Sequence, residues 1–110
     1  MSRRELASWL MLATGVAHVA HFVLLGMDGA AAGLGVFGVI YAGIGLALRR
    51  PGKLGLWLGA TLPALGGAGG LSQLASGLSI AMLVYVAVDV VVVALCIAVL
   101  VQGEEPAASS

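Results

Sequence analysis

The stretch "SIAMLVYVAVDVVVVALCIAVLV", residues 79–101, decides the fold. Apolar side chains fill nearly all of it, and Asp89 is its only charged residue. A helix needs about 20 such residues to cross about 30 Å of hydrocarbon. Its valines would also suit a strand. In lipid, however, a strand must sit in a closed barrel, because an open edge leaves backbone groups unpaired. Four segments of this length cannot close one. The stretch therefore reads as a transmembrane helix.

Three more apolar runs precede it. Leu6–Gly26 holds His18 and His21 as its only ionisable residues, Ala30–Leu48 holds none, and a third starts at Leu54 and ends near Leu74. The links between runs are short: "MDG", "RRPGK" and "SGL". Short links make sequential helices antiparallel neighbours. The expected architecture is all-α: four transmembrane helices in an antiparallel up-down bundle, with both termini inside. One domain covers 1–101, with spans of about 6–26, 30–48, 54–74 and 79–101. The polar tail "QGEEPAASS", 102–110, reads as solvated and unstructured.

Composition agrees with a lipid setting. Of 110 residues, 61% are hydrophobic and 9% charged, and the mean hydropathy is +1.12. A soluble domain carries about 25% charged residues. Formal net charge is zero, so no basic field points to nucleic acid as a partner. The single cysteine, Cys96, cannot form an internal disulfide. The start, "MSRRELASWLML", looks like a signal peptide, but no polar domain follows it, so the first helix is expected to be retained.

Charge fixes the expected threading. The five basic residues are Arg3, Arg4, Arg49, Arg50 and Lys53. They fall at the N-terminus and in the second link, which share one side of a four-span protein. The first link holds only Asp28 and the third holds no charge. The positive-inside rule puts that basic side in the cytoplasm, with the plasma (inner) membrane as the expected location. Trp9 and Trp57 fall near the same ends, where indole rings favour the interface.

The 17 glycines form seams. Ala31, Gly35, Gly38, Ala42 and Gly45 share about 80° of arc on helix two at 3.6 residues per turn. Gly55, Gly59, Pro63, Gly66 and Gly70 do the same on helix three. With no hydrophobic drive between helices in lipid, close backbone approach holds them together. The expectation is that helix two packs on helix three through these seams. A homo-oligomer or larger membrane complex is the other use, since two seams can serve two partners. Pro63, inside "TLPALGGAGG", removes a backbone donor and predicts a kink near the middle of helix three.

Polar stripes mark a candidate site. Thr14, His18 and His21 span about 60° on helix one, and Met82, Tyr85, Asp89 and Cys96 span about 60° on helix four. Ionisable groups in a span turn toward the bundle interior. At 1.5 Å per residue, His18 lies roughly 3–5 Å outward of its run's midpoint and Asp89 roughly 1–2 Å. His21 and Tyr85 lie about 8 Å and about 7 Å outward on the same measure. Antiparallel threading brings His18 level with Asp89, and a direct contact between them is expected.

Three uses compete for that pair: a structural clasp, a protonatable site coupled to solute movement, and a metal or haem site. Two histidines one turn apart plus one Asp give at most three ligands, whereas structural zinc takes four. One helix cannot grip both faces of a haem. No metal or other cofactor is therefore expected. No nucleophilic triad, phosphate loop or cysteine pair occurs, and no enzyme is expected; a haem- or metal-binding redox subunit is the enzymatic alternative. Length and four spans resemble the small multidrug resistance transporters, which work as dimers, and DoxX-like proteins. The first group relies on a membrane-embedded glutamate in helix one, where this chain has His18 and His21, so no site is carried over. The expected role is an accessory or structural membrane subunit. The alternative is a small oligomeric proton-coupled transporter using Asp89 and His18.

The threading has a direct test. In intact cells Lys53 should resist a membrane-impermeant amine reagent and react once the membrane is opened. Reaction from outside reverses the topology.

Overall fold

The computed structural model describes residues 1–25, 29–77 and 79–104, with the side chains of 25–32 outside that description. Asp28, Ala31 as a seam side chain, and the tail from residue 105 onward therefore lie outside the described residues. The described residues form four helices: α1 (Arg3–Leu25), α2 (Gly29–Leu48), α3 (Leu54–Ser76) and α4 (Ile80–Gln102). Among the described residues, α1, α3 and α4 are long and apolar enough to cross a membrane, and α2 contributes a shorter apolar stretch, Gly33–Leu48.

Local chemistry sets the helix ends. Ser2 caps α1: its Oγ accepts from the Glu5 amide at 3.1 Å and donates to the Glu5 carboxylate at 3.3 Å. Helix α1 thus starts at Arg3, ahead of the apolar run. Ser79 caps α4, accepting from the Met82 amide at 3.3 Å. Gly103, at φ +86°, ends α4 as its amide bonds the Val99 carbonyl. Helix α2 stops before Pro51, because the residue preceding a proline disfavours helix. Helix α3 runs unbroken through the buried Pro63. The carbonyl of Gly59, one turn earlier, is the one that loses its backbone donor.

The helices pack as a closed square, each against its two sequence neighbours, with α4 returning to α1. All four pairings are antiparallel. Gly35 faces Phe22, Gly38 faces Val19 and Gly45 faces Leu12, so residue numbers fall along α1 as they rise along α2. Gly59 meets Cys96, Gly67 meets Asp89 and Gly70 meets Val86 in the same sense. The two tightest pairs are α1–α2 and α3–α4, so the bundle is two hairpins side by side. It measures 45 × 24 × 19 Å.

This arrangement corrects the expected use of the seams. On α2, Gly35, Gly38 and Gly45 face α1, not α3. A Cβ on Gly38 would fall 2.8 Å from the Gly15 carbonyl oxygen, and one on Gly15 would fall 2.7 Å from both the Ala42 nitrogen and the Gly38 oxygen. Gly15, absent from the seams as read in sequence, is thus half of the closest approach. On α3, Gly59 and Gly70 face α4, Gly66 lies between α2 and α4, and Gly55 backs onto Ala47 and Leu48 of α2. The described glycines of both seams are taken up within one chain.

Side chains are sorted inside out. Buried polar residues are Ser8, Thr14, His18 and Asp89. Outward positions carry Val16, Val39, Leu65 and Val90. The apolar core, around Met11, Tyr41, Leu48, Val92 and Cys96, fills the half nearer the termini. Within it, the Ser8 hydroxyl donates to the Gly45 carbonyl at 2.7 Å, bridging α1 and α2.

The terminal end is closed by Arg4. Its guanidinium donates to the carbonyls of Leu48 (2.6 Å) and Gly52 (2.8 Å), and to that of Arg50. It also pairs with Glu104 at 2.7 Å. One side chain thereby satisfies the Leu48 carbonyl at the end of α2 and joins α1 to the 49–53 turn and to the residues after α4. Arg49 lies over the Trp9 ring, 4.4 Å from its centre.

The close approach predicts a contrast between glycines. Gly15→Ala and Gly38→Ala should each lower stability by about 1–3 kcal/mol, because the new methyl meets backbone that cannot move aside. Gly43→Ala, with nothing within 4 Å of its Cβ position, should be neutral or stabilising. Thermal unfolding in detergent measures all three, and equal effects would contradict the α1–α2 contact.

Candidate functional site: a polar cavity around Asp89

Asp89 belongs to the inward stripe of α4, with Val86, Val92 and Cys96. It is 4% exposed. Its carboxyl lies against α3 where that helix has no side chains. A Cβ on Gly67 would sit 3.4 Å from the Asp89 Cβ and 3.6 Å from Oδ2, and a Cβ on Gly66 would sit 3.5 Å from Oδ2. A Cβ on Gly66 would also overlap the Tyr41 hydroxyl, which comes from α2. The missing side chain at 66 is the space in which that hydroxyl sits. Tyr41 hydrogen-bonds the Asp89 side chain, and Oδ1 has no partner among the described residues.

The expected direct bond between His18 and Asp89 is therefore corrected. His18 Nδ1 donates to the Thr14 carbonyl of its own helix, at 2.8 Å. With that proton committed, the neutral ring has only an acceptor at Nε2. It has no donor to offer a carboxylate. Tyr41 supplies the donor instead.

His18 and Asp89 nevertheless line the same space. A cavity of about 190 Å³ lies in the half of the bundle away from the termini, with walls from all four helices. His18, Phe37, Tyr41, Tyr85 and Asp89 line it, with the exposed Gln73 also at its wall. Four rings run together along it. The Phe37 and Tyr41 centres are 5.8 Å apart, edge to face, His18 and Tyr41 are 5.4 Å apart, and His18 and Tyr85 are 4.1 Å apart.

Of the five polar candidates read from sequence, the cavity gathers His18, Tyr85 and Asp89. Thr14 is buried and serves through its carbonyl. His21 is half-buried, its ring 6.3 Å from Tyr85, and is not part of the lining. Tyr41 and Phe37 were missed. A tyrosine in a span reads as an apolar ring until its hydroxyl is asked for a partner, and Tyr41 is the one such hydroxyl in the apolar run of α2.

A larger hollow of about 610 Å³ lies at the terminal end, among Arg4, Trp9, Arg49 and Glu104. Its Arg4 is committed to backbone carbonyls and Glu104, and its Arg49 to Trp9. It is a cleft in the polar cap. Among the described residues, no three His, Cys, Asp or Glu side chains come together as a metal-binding group.

No protein-family model, no curated protein and no solved structure matches this chain.

The bond assignment predicts a specific coupling. Tyr41→Phe and Asp89→Leu should each destabilise the fold, since each strands the other's polar group. The double variant should recover about 0.5–1.5 kcal/mol relative to the sum, the range of hydrogen bonds between membrane helices. His18→Leu with Asp89→Leu should be additive to within about 0.5 kcal/mol. Coupling in the histidine pair and none in the tyrosine pair would reverse the assignment.

Proposed function

We propose that this chain is a four-span integral membrane protein of the plasma membrane. Both termini and the 49–53 turn lie in the cytoplasm. In its outer half it holds a solute-binding cavity where Asp89 takes up and releases a proton, as the core of a small proton-coupled carrier. One observation carries this reading: Asp89, 4% exposed and with one carboxyl oxygen that has no partner among the described residues, lines a cavity of about 190 Å³. A carboxyl inside a span costs about 2.5–3.5 kcal/mol on insertion scales. A purely structural role favours a fully paired carboxyl. A buried carboxyl left with an unpaired oxygen beside a cavity fits a group that takes up and releases a proton, and intramembrane ionisable residues mark substrate and proton routes.

The membrane setting is supported by apolar outward side chains over polar buried ones. The orientation is supported by Arg3, Arg4, Arg49, Arg50 and Lys53 gathering at one end. Lipid is the expected surrounding partner. The cavity is built by one chain, so solute binding in it needs no second copy.

The accessory or structural reading rests on a different observation. Ser8 bonds the Gly45 carbonyl and His18 bonds the Thr14 carbonyl, so two of the buried polar residues of α1 serve the backbone.

Water access separates the two. In a chain with Cys96→Ala, Asp89→Cys should react with a small water-soluble thiol reagent applied outside. Val92→Cys, at a fully buried position nearly a turn further along α4, should resist it. A folded but unreactive Asp89→Cys would leave the structural role standing.

A further inference from the structure

We propose that the terminal end of the bundle binds one anionic phospholipid. Its phosphate sits in the arginine-lined cleft beside Trp9, and one acyl chain lies in the apolar furrow between α1 and α2. This rests on the reading of the chain as a membrane protein with that end in the cytoplasm, and adds a specific lipid partner.

The cleft supplies the charge. Arg4, Arg49 and Arg50 line its volume of about 610 Å³, a size within the roughly 300–1,000 Å³ of small-molecule sites. The two acids in its wall are already engaged: Glu5 accepts from the Ser2 hydroxyl, and Glu104 pairs with Arg4. Arg4 itself is turned to the carbonyls that close α2 and its turn. Arg49 and Arg50, both exposed, are what an incoming anion meets. Arg49 lies over the Trp9 ring, a contact that uses the face of a guanidinium and none of its N–H donors. Those donors form a fork that matches a phosphate with two parallel hydrogen bonds.

The furrow supplies the fit to a chain. A hollow of about 540 Å³ runs along the outward side of α1 and α2, and only valine, alanine, leucine and glycine line it. Gly15 and Gly38 bring the two backbones together there, and the exposed Val16 and Val39 stand as its banks. Cleft and furrow share a face. Trp9 and Val16 are two turns apart, as are Arg49 and Ala42, so each pair lies within about 20° of arc and about 10 Å along the axis. One leaflet is about 15 Å of hydrocarbon, half of the bilayer core. A chain entering at Trp9 therefore reaches the level of Val19 within the same leaflet.

Other occupants satisfy one part only. Free phosphate fills the cleft and leaves the furrow. A second copy of the chain covers the furrow and leaves the arginines. A zwitterionic lipid brings its own cation to the guanidiniums. Anionic lipids, moreover, are concentrated in the cytoplasmic leaflet.

The probes are dioleoyl phosphatidylglycerol, dioleoyl phosphatidylcholine and glycerol phosphate, each titrated into the full-length protein in neutral detergent. Phosphatidylglycerol should raise the unfolding temperature, and the other two should do so far less at equal concentration. Arg49→Gln should raise the half-maximal phosphatidylglycerol concentration about fivefold, the share of one arginine near an anionic lipid. Lys53→Gln, outside the cleft lining, should leave it unchanged. Val39→Trp, which fills the furrow from an outward position, should weaken phosphatidylglycerol as well. The wild-type comparison needs no variant to fold, and unfolding without lipid shows that each variant does. Equal responses to both lipids would overturn the role of charge, and an equal response to glycerol phosphate would overturn the acyl chain. Equal losses in Arg49→Gln and Lys53→Gln would replace the site by diffuse attraction. A lipid-free dimer abolished by Val39→Trp would give the furrow to a second copy. Each of these results overturns the lipid assignment alone if the protein stays in the membrane pellet at alkaline pH. Release from that pellet overturns the membrane reading beneath it.

Discussion

The bond between Tyr41 and Asp89, made in the gap left by Gly66, is the interaction around which the bundle is arranged. It brings together α2, α3 and α4 at one point. A carboxyl among apolar residues must find a donor, and the donor must come from another helix at the right height. Tyr41 reaches it only because α3 has hydrogen where other residues have a side chain. Within "ALGGAGG" the volume that matters is at Gly66, which makes room for the hydroxyl, while a methyl at Gly67 would meet Asp89 only in ordinary contact.

Packing follows a different rule within each hairpin. Between α1 and α2 the backbones nearly touch at Gly15 and Gly38. Many short-range dispersion contacts form there, each worth only about 0.1–0.2 kcal/mol, and they add up because the surfaces are so close. Between α3 and α4 small residues oppose larger ones: Gly59 takes the Cys96 sulfur and Gly70 takes Val86. The hairpins then meet along Tyr41 and Asp89, along His18 and Tyr85, and at Arg4. In the half away from the termini the inter-hairpin surface is therefore polar and aromatic, whereas nearer the termini the apolar core and the close approach of Gly55 to Ala47 and Leu48 join the hairpins. That division leaves the cavity between the hairpins and the dense core at the terminal end.

The four helices were legible in the sequence because length and hydropathy alone define them. The inward stripes of α1 and α4 were legible too, since a rare polar residue on an apolar helix marks one face. The partner of Asp89 was not. Periodicity gives the direction a residue points, and matched depth gives its height, but several residues from different helices share any height. His18 was the obvious partner by chemistry, yet the Thr14 carbonyl four residues earlier claims its proton. The seams failed for a related reason: a row of small residues states that something comes close and does not say which helix. Gly15 stood alone between Thr14 and Val16 and made no row of its own. Arg4 read as a topological charge, whereas its guanidinium also closes the carbonyl end of α2.

Arg4 also makes the bundle a lever. Its bonds fasten the hairpins at one end, through the 49–53 turn and Glu104. Beyond Asp89, no hydrogen bond among the described residues joins one hairpin to the other. The fulcrum is therefore at the basic end, and Tyr41–Asp89 is the last latch along the arm. A small rotation about that fulcrum leaves the termini almost still and changes the width of the far half most, where Tyr85 rests against His18.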